Sequence, residues 1–303
     1  MKKVLVLVVI LLFFMTLLFV TQTREKVESE QLKVTVSTFG LYDIVKHIGG
    51  ESVDVQMLIP FGVDVHSFEP TPKTIINIQK SKLFFYSGAA LEPWIEHLAH
   101  TDKMRDMSLH VKLLKVEAHD EEEHEHHGVY DPHYWLDVDN MVLLTETIKK
   151  ALIENDSVHR LTYQKNAERY IVDLERLDKA YKDGLQGCHV NEVILHHNIL
   201  GYVAHRYGFS VETLTGLSPD ALADAKTMAR LSNRIKAKSI NVVFFEAFVS
   251  NRLMQSLASE NGIKLAYLEP LANITAEQAQ ENMSYVDGMM RNLVKLQEAM
   301  QCQ

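Results

Sequence analysis

Cysteine is scarce in this 303-residue chain, which contains only 2. Two thiols cannot build a zinc site made of thiolates. Basic residues are also too few for a nucleic-acid-binding protein, because 31 of them face 40 acidic residues and give a net charge of -9. Hydrophobic residues at 47% and charged residues at 23% lie near globular averages, which excludes a disordered or collagen-like chain. The chain does contain 15 histidines. Its length is enough for about two domains.

The first residues predict an export signal. Lys2 and Lys3 precede an uncharged stretch, 4–20, that is rich in Val, Leu, Ile and Phe. Its 17 residues exceed a usual signal-peptide core of about 7–15 and reach the lower end of the membrane-spanning range, about 17–25. No Cys that could carry a lipid and no Ala-x-Ala cleavage site lies nearby. An uncleaved anchor and a weak signal peptide both stay open, and both place the rest of the chain outside the cytoplasm.

Export changes the expected state of Cys188 and Cys302. In an oxidising compartment two thiols are more often paired than free. We therefore predict a disulfide between them. It closes a loop of more than 100 residues and fixes the end of the chain to the start of its second half.

Short apolar runs alternate with helical patterns along the exported part, which is typical of βαβ units and a largely parallel sheet. One element differs, because 158–183 repeats apolar residues at helical spacing without Gly or Pro. As a helix it would be roughly 40 Å long. The sequence therefore predicts an α/β fold of two lobes, each a mainly parallel β-sheet flanked by helices, joined by one long rigid helix. The predicted segments are a signal or anchor with a polar tether (1–31), an N-terminal lobe (32–157) with a His-rich loop (117–128), the linking helix (158–187) and a C-terminal lobe (188–303).

Local signals also predict where three helices begin. Thr71-Pro72 gives an N-cap followed by a first-turn proline, which opens a helix to about Lys80. Ser218-Pro219 is expected to open another helix, to about Ala237. A single terminal helix is expected from Thr275.

Histidine occurs in three places that could carry chemistry. His66 follows the second predicted strand and precedes a helix, at the edge of a parallel sheet where ligands bind. His133 has the neighbours Pro132, Tyr134 and Trp135, which can hold it in a fixed place. The third place is His196-His197, after an apolar strand. Adjacent residues at a strand end point in opposite directions, so one of this pair is expected to be a bystander.

An acidic, histidine-rich stretch precedes His133. From Glu117 to His127 it contains six acids and four histidines and almost no apolar residue. Such a stretch cannot pack, so it predicts a solvated loop, and its composition favours weak binding of a borderline cation. The expected metal-collecting residues are His119, His124, His126 and His127.

Taken in order, these motifs resemble the zinc- and manganese-binding solute receptors of metal-uptake ABC transporters. The resemblance covers about residues 33–303 and implies two lobes joined by a rigid helix, with one metal in the cleft. Its marks are His-x-x-Glu-Pro-Thr-Pro at His66, the acidic loop running into Asp131-Pro-His133-x-Trp-Leu-Asp137, His-x-x-x-Gly-Tyr from His197 to Tyr202, Phe244-Phe-Glu246 and Leu268-Glu-Pro-Leu271.

The resemblance implies four metal ligands, two from each lobe. They are His66 and His133 from the first lobe, and His197 and Glu269 from the second. His197 rather than His196 keeps the family's spacing to Tyr202. The fourth ligand of the family is usually Asp, and Glu269 reaches one methylene further, which leaves its geometry open. Glu246 is the family's nearby acid, expected to orient a ligand imidazole, with direct coordination as the alternative.

This ligand set suits zinc. Three imidazoles and one carboxylate match tetrahedral Zn(II), whereas manganese is better served by more oxygen ligands. The implied function is an extracytoplasmic receptor, expected to be a monomer, that captures Zn(II) as its transported ligand and delivers it to a membrane permease. A Mn(II) receptor of the same family is the alternative. A metal-buffering or adhesion protein of the same fold also stays open.

A secreted zinc hydrolase is the rival from another class. It needs an open coordination position for water and a nearby base, for which Glu246 is a candidate. No His-Glu-x-x-His motif is present, and four protein ligands leave no vacant position. We therefore expect that the chain is not an enzyme.

Overall fold

A computed structural model describes residues 31–99, 101–116, 130–219, 221, 223–248 and 250–303. Residues 32–303 form one compact unit. The predicted export segment at 4–20 and the four histidines of the predicted collecting loop lie outside the described residues. Among the residues that are described, no helix has both the length and the apolar character to cross a membrane.

The first lobe is built on four parallel strands, β1 (Leu32–Val36), β2 (Val53–Met57), β3 (Leu83–Tyr86) and β4 (Met104–Asp106). They lie in the order β2-β1-β3-β4. β3 is buried along its whole length, as expected of a central parallel strand covered on both faces. The sequence does not predict β4, because Met-Arg-Asp lacks the apolar pattern of a buried strand.

The second lobe repeats this arrangement with β5 (Glu192–Leu195), β6 (Ser210–Thr213), β7 (Val242–Glu246) and β8 (Lys264–Leu268). All neighbours are parallel and the order is β6-β5-β7-β8. The two sheets confirm the predicted α/β fold. The exact lobe boundaries, 32–157 and 188–303, stay a prediction.

Helices flank both sheets. The α-helices of the described residues are α1 (Phe39–Gly49), α2 (Pro72–Lys80), α3 (Val138–Asn155), α4 (Arg160–Gly184), α5 (Gly201–Tyr207), α6 (Ala225–Lys238), α7 (Arg252–Asn261), α8 (Ala276–Gln280) and α9 (Tyr285–Met300).

The long helix α4 links the lobes. Its buried residues recur three or four positions apart, so they form one apolar face. The hydroxyl of Tyr170 donates to Asp43 Oδ2 on α1 at 2.8 Å. The hydroxyl of Tyr181 donates to the Met289 carbonyl on α9 at 2.7 Å. The linking helix is therefore fixed to both lobes, and at about 1.5 Å per residue it is close to the predicted length.

Helix starts follow the local capping chemistry. α2 begins at Pro72 as predicted, with a capping box between Thr71 and Thr74. The helix predicted from Ser218-Pro219 was placed too early, because the cap is Asp224, whose side chain accepts a hydrogen bond from the Thr227 amide at 2.7 Å.

The predicted single terminal helix is two helices. α8 begins after Thr275 and ends at Gln280, and α9 begins at Tyr285. Asn282 between them has a positive φ of 55°, which interrupts a right-handed helix. Ser284 then caps the second helix by accepting a hydrogen bond from the Asp287 amide.

Cys188 and Cys302 form the predicted disulfide, across a sequence separation of 114 residues. Cys302 lies just beyond α9 and Cys188 lies just before β5. The bond therefore fixes the last helix to the first strand of the second lobe, which confirms the prediction.

Candidate metal centre

Two loops of the first lobe bring His66 and His133 to the cleft. His66 lies between β2 and α2, and its backbone N–H donates to Asp64 Oδ1 at 2.7 Å. His133 begins the short turn that precedes α3. The ring nitrogens of the two histidines meet, with Nε2 to Nε2 at 3.4 Å.

Asp131 orients His133. Its Oδ1 accepts both the backbone N–H of His133 at 2.9 Å and ring Nδ1 at 2.8 Å. Because a carboxylate can only accept, Nδ1 carries the hydrogen and Nε2 keeps its lone pair for the cleft. His133 is 1% exposed, so this arrangement is screened from water. Asp131 belongs to the motif Asp131-Pro-His133-x-Trp-Leu-Asp137 but had no predicted role, although a carboxylate two residues before a candidate ligand histidine is a readable signal.

The second lobe holds Asp131 in turn. Tyr202 on α5 donates its hydroxyl to the Asp131 carbonyl at 2.7 Å and accepts the Leu114 amide at 3.0 Å. The Asp131 amide donates to the Leu114 carbonyl at 2.9 Å. Tyr202, whose only predicted importance was its spacing from His197, therefore ties the His133 loop to the opposite lobe.

His197 comes from the carboxyl end of β5 and is paired with Glu246, the last residue of the neighbouring strand β7. Nδ1 of His197 lies 3.0 Å from Glu246 Oε2. Nε2 is buried and has no hydrogen-bond partner among the described residues. An imidazole that donates from Nδ1 to a carboxylate and keeps a buried Nε2 lone pair is typical of a metal ligand.

The three imidazoles form a nearly regular triangle, called here the histidine trio. Ring centroids are separated by 5.4 Å for His66 and His133, 5.6 Å for His66 and His197, and 5.4 Å for His133 and His197. One nitrogen from each ring lies within 4.8 Å of the others. Two nitrogens bound to one tetrahedral zinc at 2.0–2.1 Å would be about 3.3 Å apart. The observed 3.4 Å between His66 and His133 therefore matches one edge of such a site.

Glu269 is not part of this group, which contains three of the four predicted ligands. It follows β8, and its Oε2 accepts hydrogen bonds from the Tyr267 hydroxyl at 2.7 Å and Gln278 Nε2 at 3.0 Å. β8 is two strands from β5, or about 10 Å at normal strand spacing.

A second group of metal-binding side chains shares His197. It consists of His196, His197 and Glu246, all buried. Both members of the adjacent histidine pair are thus inside the protein, and only His197 belongs to the trio. Glu246 Oε1 has no hydrogen-bond partner among the described residues. This leaves a buried carboxylate with one oxygen on His197 and the other unsatisfied.

The cleft between the loops is small and largely apolar. It encloses a cavity of about 20 Å³, which is room for about one ion or one water. Around the trio and Glu246 it is lined by two polar residues, Asp64 and Asn273, and by the apolar residues Val65, Trp135, Ile199, Ala247, Phe248, Pro270 and Ala272.

Comparisons with known proteins agree on one family. The family model described as "ZnuA: Zinc-uptake complex component A periplasmic" matches residues 34–299. The high-affinity zinc uptake system protein ZnuA of Bacillus subtilis is 31% identical over 287 residues, which cover 90% of this chain and 89% of that protein. The zinc-binding lipoprotein AdcA of Streptococcus pneumoniae is 30% identical over 297 residues, or 93% of this chain.

The chain spans only part of AdcA, since the match covers 58% of that protein. The crystal structure of the Zn(II)-bound ZnuA-like domain of Streptococcus pneumoniae AdcA is similar with a TM-score of 0.74 at 29% identity. It covers 89% of this chain and 99% of that domain. The similarity therefore extends over both lobes described above.

Proposed function

The chain belongs to the family of periplasmic zinc-uptake components described as ZnuA, and from this we propose that it captures Zn(II) in the cleft and delivers it to the permease of an ABC transporter. One observation supports the capture step above all others. The cleft holds three imidazoles whose spacing suits a single tetrahedral ion, and two of them are oriented by buried carboxylates. Histidines in a solvated cluster on the surface would not need buried carboxylates to orient their rings.

His66, His133 and His197 are the ligands we propose, with Glu269 as the fourth. The next residue after Glu269, Pro270, lines the cavity and accepts a hydrogen bond from Trp135 Nε1 at 3.0 Å. Glu269 is therefore adjacent in sequence to the wall of the site. Glu246 keeps the role of orienting His197.

Zinc is the cargo that this donor set favours. Three neutral nitrogens and one oxygen match the ligand types and the coordination number that zinc adopts in proteins. Manganese prefers a larger number of oxygen ligands, whereas three of the four proposed ligands are nitrogens. We keep a Mn(II) receptor as the alternative cargo within the same family.

Capture needs no catalysis. Neutral imidazoles and a carboxylate replace the waters of the ion, and four protein ligands leave no position for an activated water. The family is one of solute-binding components and not of enzymes, so the hydrolase alternative is dropped. The family also places the chain outside the cytoplasm, in agreement with the predicted export signal. The permease as partner and a monomeric receptor remain proposals.

The direct test is a competitive titration of zinc against manganese. The protein used starts at Lys33 and lacks 119–127, so that the predicted collecting loop cannot contribute. We expect one tight zinc site, which His197→Ala weakens by about 100-fold or more. His205→Ala is the matched control, because His205 is exposed on α5 outside the trio.

Each outcome is informative. Manganese preference at a site that His197→Ala abolishes would keep the family and change the cargo. Absence of a tight site for either metal would mean that the deleted loop histidines are the binders, and the proposal would be wrong.

A further inference from the structure

The carboxylate of Glu269 is held through one of its two oxygens. Tyr267 and Gln278 both donate to Oε2, at 2.7 and 3.0 Å, and Oε1 takes part in neither bond. Glu269 is 3% exposed, and both bonds are partly buried. A buried carboxylate with one oxygen already bound by two donors has one oxygen left to offer.

The donor from Gln278 has a fixed direction. Its side-chain oxygen accepts the backbone N–H of Thr275 at 2.9 Å in the capping box of α8. Because a backbone N–H can only donate, that side of the amide must be the oxygen. The other side is then the NH₂ group, which faces Glu269 and must donate to it.

The backbone of Glu269 is fixed as well. Asn292 on α9 accepts the Glu269 N–H through Oδ1 at 2.8 Å and donates from Nδ2 to the Glu269 carbonyl at 2.8 Å. Asn292 is 1% exposed. The main chain of Glu269 is thus held on α9 and Oε2 is held by Tyr267 and Gln278, so Oε1 is the oxygen left to coordinate a metal.

We infer that Tyr267 and Gln278 set the metal selectivity of the receptor by limiting Glu269 to a single coordinating oxygen. This inference deepens the proposed function and rests on it. A one-oxygen Glu269 completes a four-coordinate set of three nitrogens and one oxygen, which suits zinc. A carboxylate released from both donors can bind through two oxygens, and the higher coordination number favours manganese. Neither residue touches the metal, so both act by positioning.

The test compares zinc and manganese affinities in Tyr267→Phe, Gln278→Met and the double variant. We expect the ratio of zinc to manganese affinity to fall by about tenfold in the double variant, and by a smaller factor in each single one. Co(II) provides a second readout, because tetrahedral Co(II) absorbs visible light strongly and five- or six-coordinate Co(II) absorbs weakly. The absorption should therefore weaken in the double variant.

Tyr163→Phe is the matched control. It also removes a tyrosine hydroxyl that donates to a carboxylate, Asp156 Oδ2 at 2.6 Å, but at the start of α4 and away from the cavity. We expect its affinity ratio and its Co(II) spectrum to equal those of the unmodified protein.

The outcomes separate this inference from the proposed function. An unmodified protein that does not bind zinc tightly overturns both. Tight zinc binding that is insensitive to Glu269→Gln leaves the receptor in place and overturns the inference. Equal losses for zinc and manganese in the double variant also overturn it, since that is the signature of a structural role. If the double variant does not fold, Tyr267→Phe alone decides, and an unchanged ratio there refutes the inference.

Discussion

Replacing Glu246 by Gln should weaken zinc binding without weakening the fold. Gln has the same shape and its amide oxygen can still accept the hydrogen on His197 Nδ1, but the bond loses its charge. Hydrogen bonds to a charged partner are roughly twice as strong as neutral ones. Loss of a partner of this kind costs 10- to 100-fold in metal affinity. We expect the lower end, about tenfold or 1.4 kcal/mol, because the geometry is kept.

The stability of the zinc-free protein should change in the opposite direction. Glu246 is 1% exposed, and its Oε1 has no hydrogen-bond partner among the described residues. A buried, incompletely satisfied charge destabilises the fold, and a neutral amide at the same place costs less. We expect Glu246→Gln to gain on the order of 1 kcal/mol without zinc, a rise in melting temperature of about 2 °C.

Two measurements check this pair of effects. A chelator competition gives the zinc affinity, and thermal unfolding of zinc-free protein gives the stability. Glu212→Gln is the control, because Glu212 is a carboxylate of the same lobe that pairs with Arg230 and Arg234 instead of a histidine. Zinc affinity that is unchanged in Glu246→Gln would refute the role of Glu246. A fall in both affinity and melting temperature would mean that the change acts through general packing.

Three further predictions concern the scaffold. Small-angle scattering should give nearly the same radius of gyration with and without zinc, because α4 is hydrogen-bonded to both lobes; a marked compaction would contradict this. Replacing Cys188 and Cys302 by Ser should lower the free energy of unfolding by about 4 kcal/mol in denaturant titrations, given the 114-residue separation, and an unchanged value would show that the bond is unimportant. Burial raises the pKa of Glu92 to about 7. The proton on Glu92 therefore stabilises the fold at low pH, and this contribution, about 3 kcal/mol, is lost as the pH rises from the unfolded-state pKa through 7. Glu92→Gln should flatten the pH dependence of unfolding between pH 4.5 and 7, and an equally steep profile would refute it.

Much of the fold is encoded locally and could be predicted. A buried parallel strand needs a short apolar run, and β3 and β5 have one. The long helix could be predicted because its apolar face repeats without interruption. The start of α2 was predicted correctly because its capping signal, Thr71-Pro72, was recognised. Asp224 was missed because Ser218-Pro219, a stronger local signal, lies six residues earlier.

The site could be predicted in part. Three histidines were found from their positions after strands and from the family resemblance, and the structure brings them together. The environment of Glu269 could not be predicted, because it depends on where Gln278 and Asn292 fall when α8 and α9 pack beside β8. Contacts of this kind join residues through three-dimensional packing, and no spacing rule in the sequence contains them.

Backbone hydrogen bonds join the two lobes beside the site. Phe39 N–H donates to the Ala272 carbonyl at 2.8 Å and Gly62 N–H to the Ile274 carbonyl at 2.9 Å, so the loops on both sides of the cleft are connected. The conformational entropy lost in aligning the trio is therefore lost on folding, and it does not reduce the free energy of zinc binding.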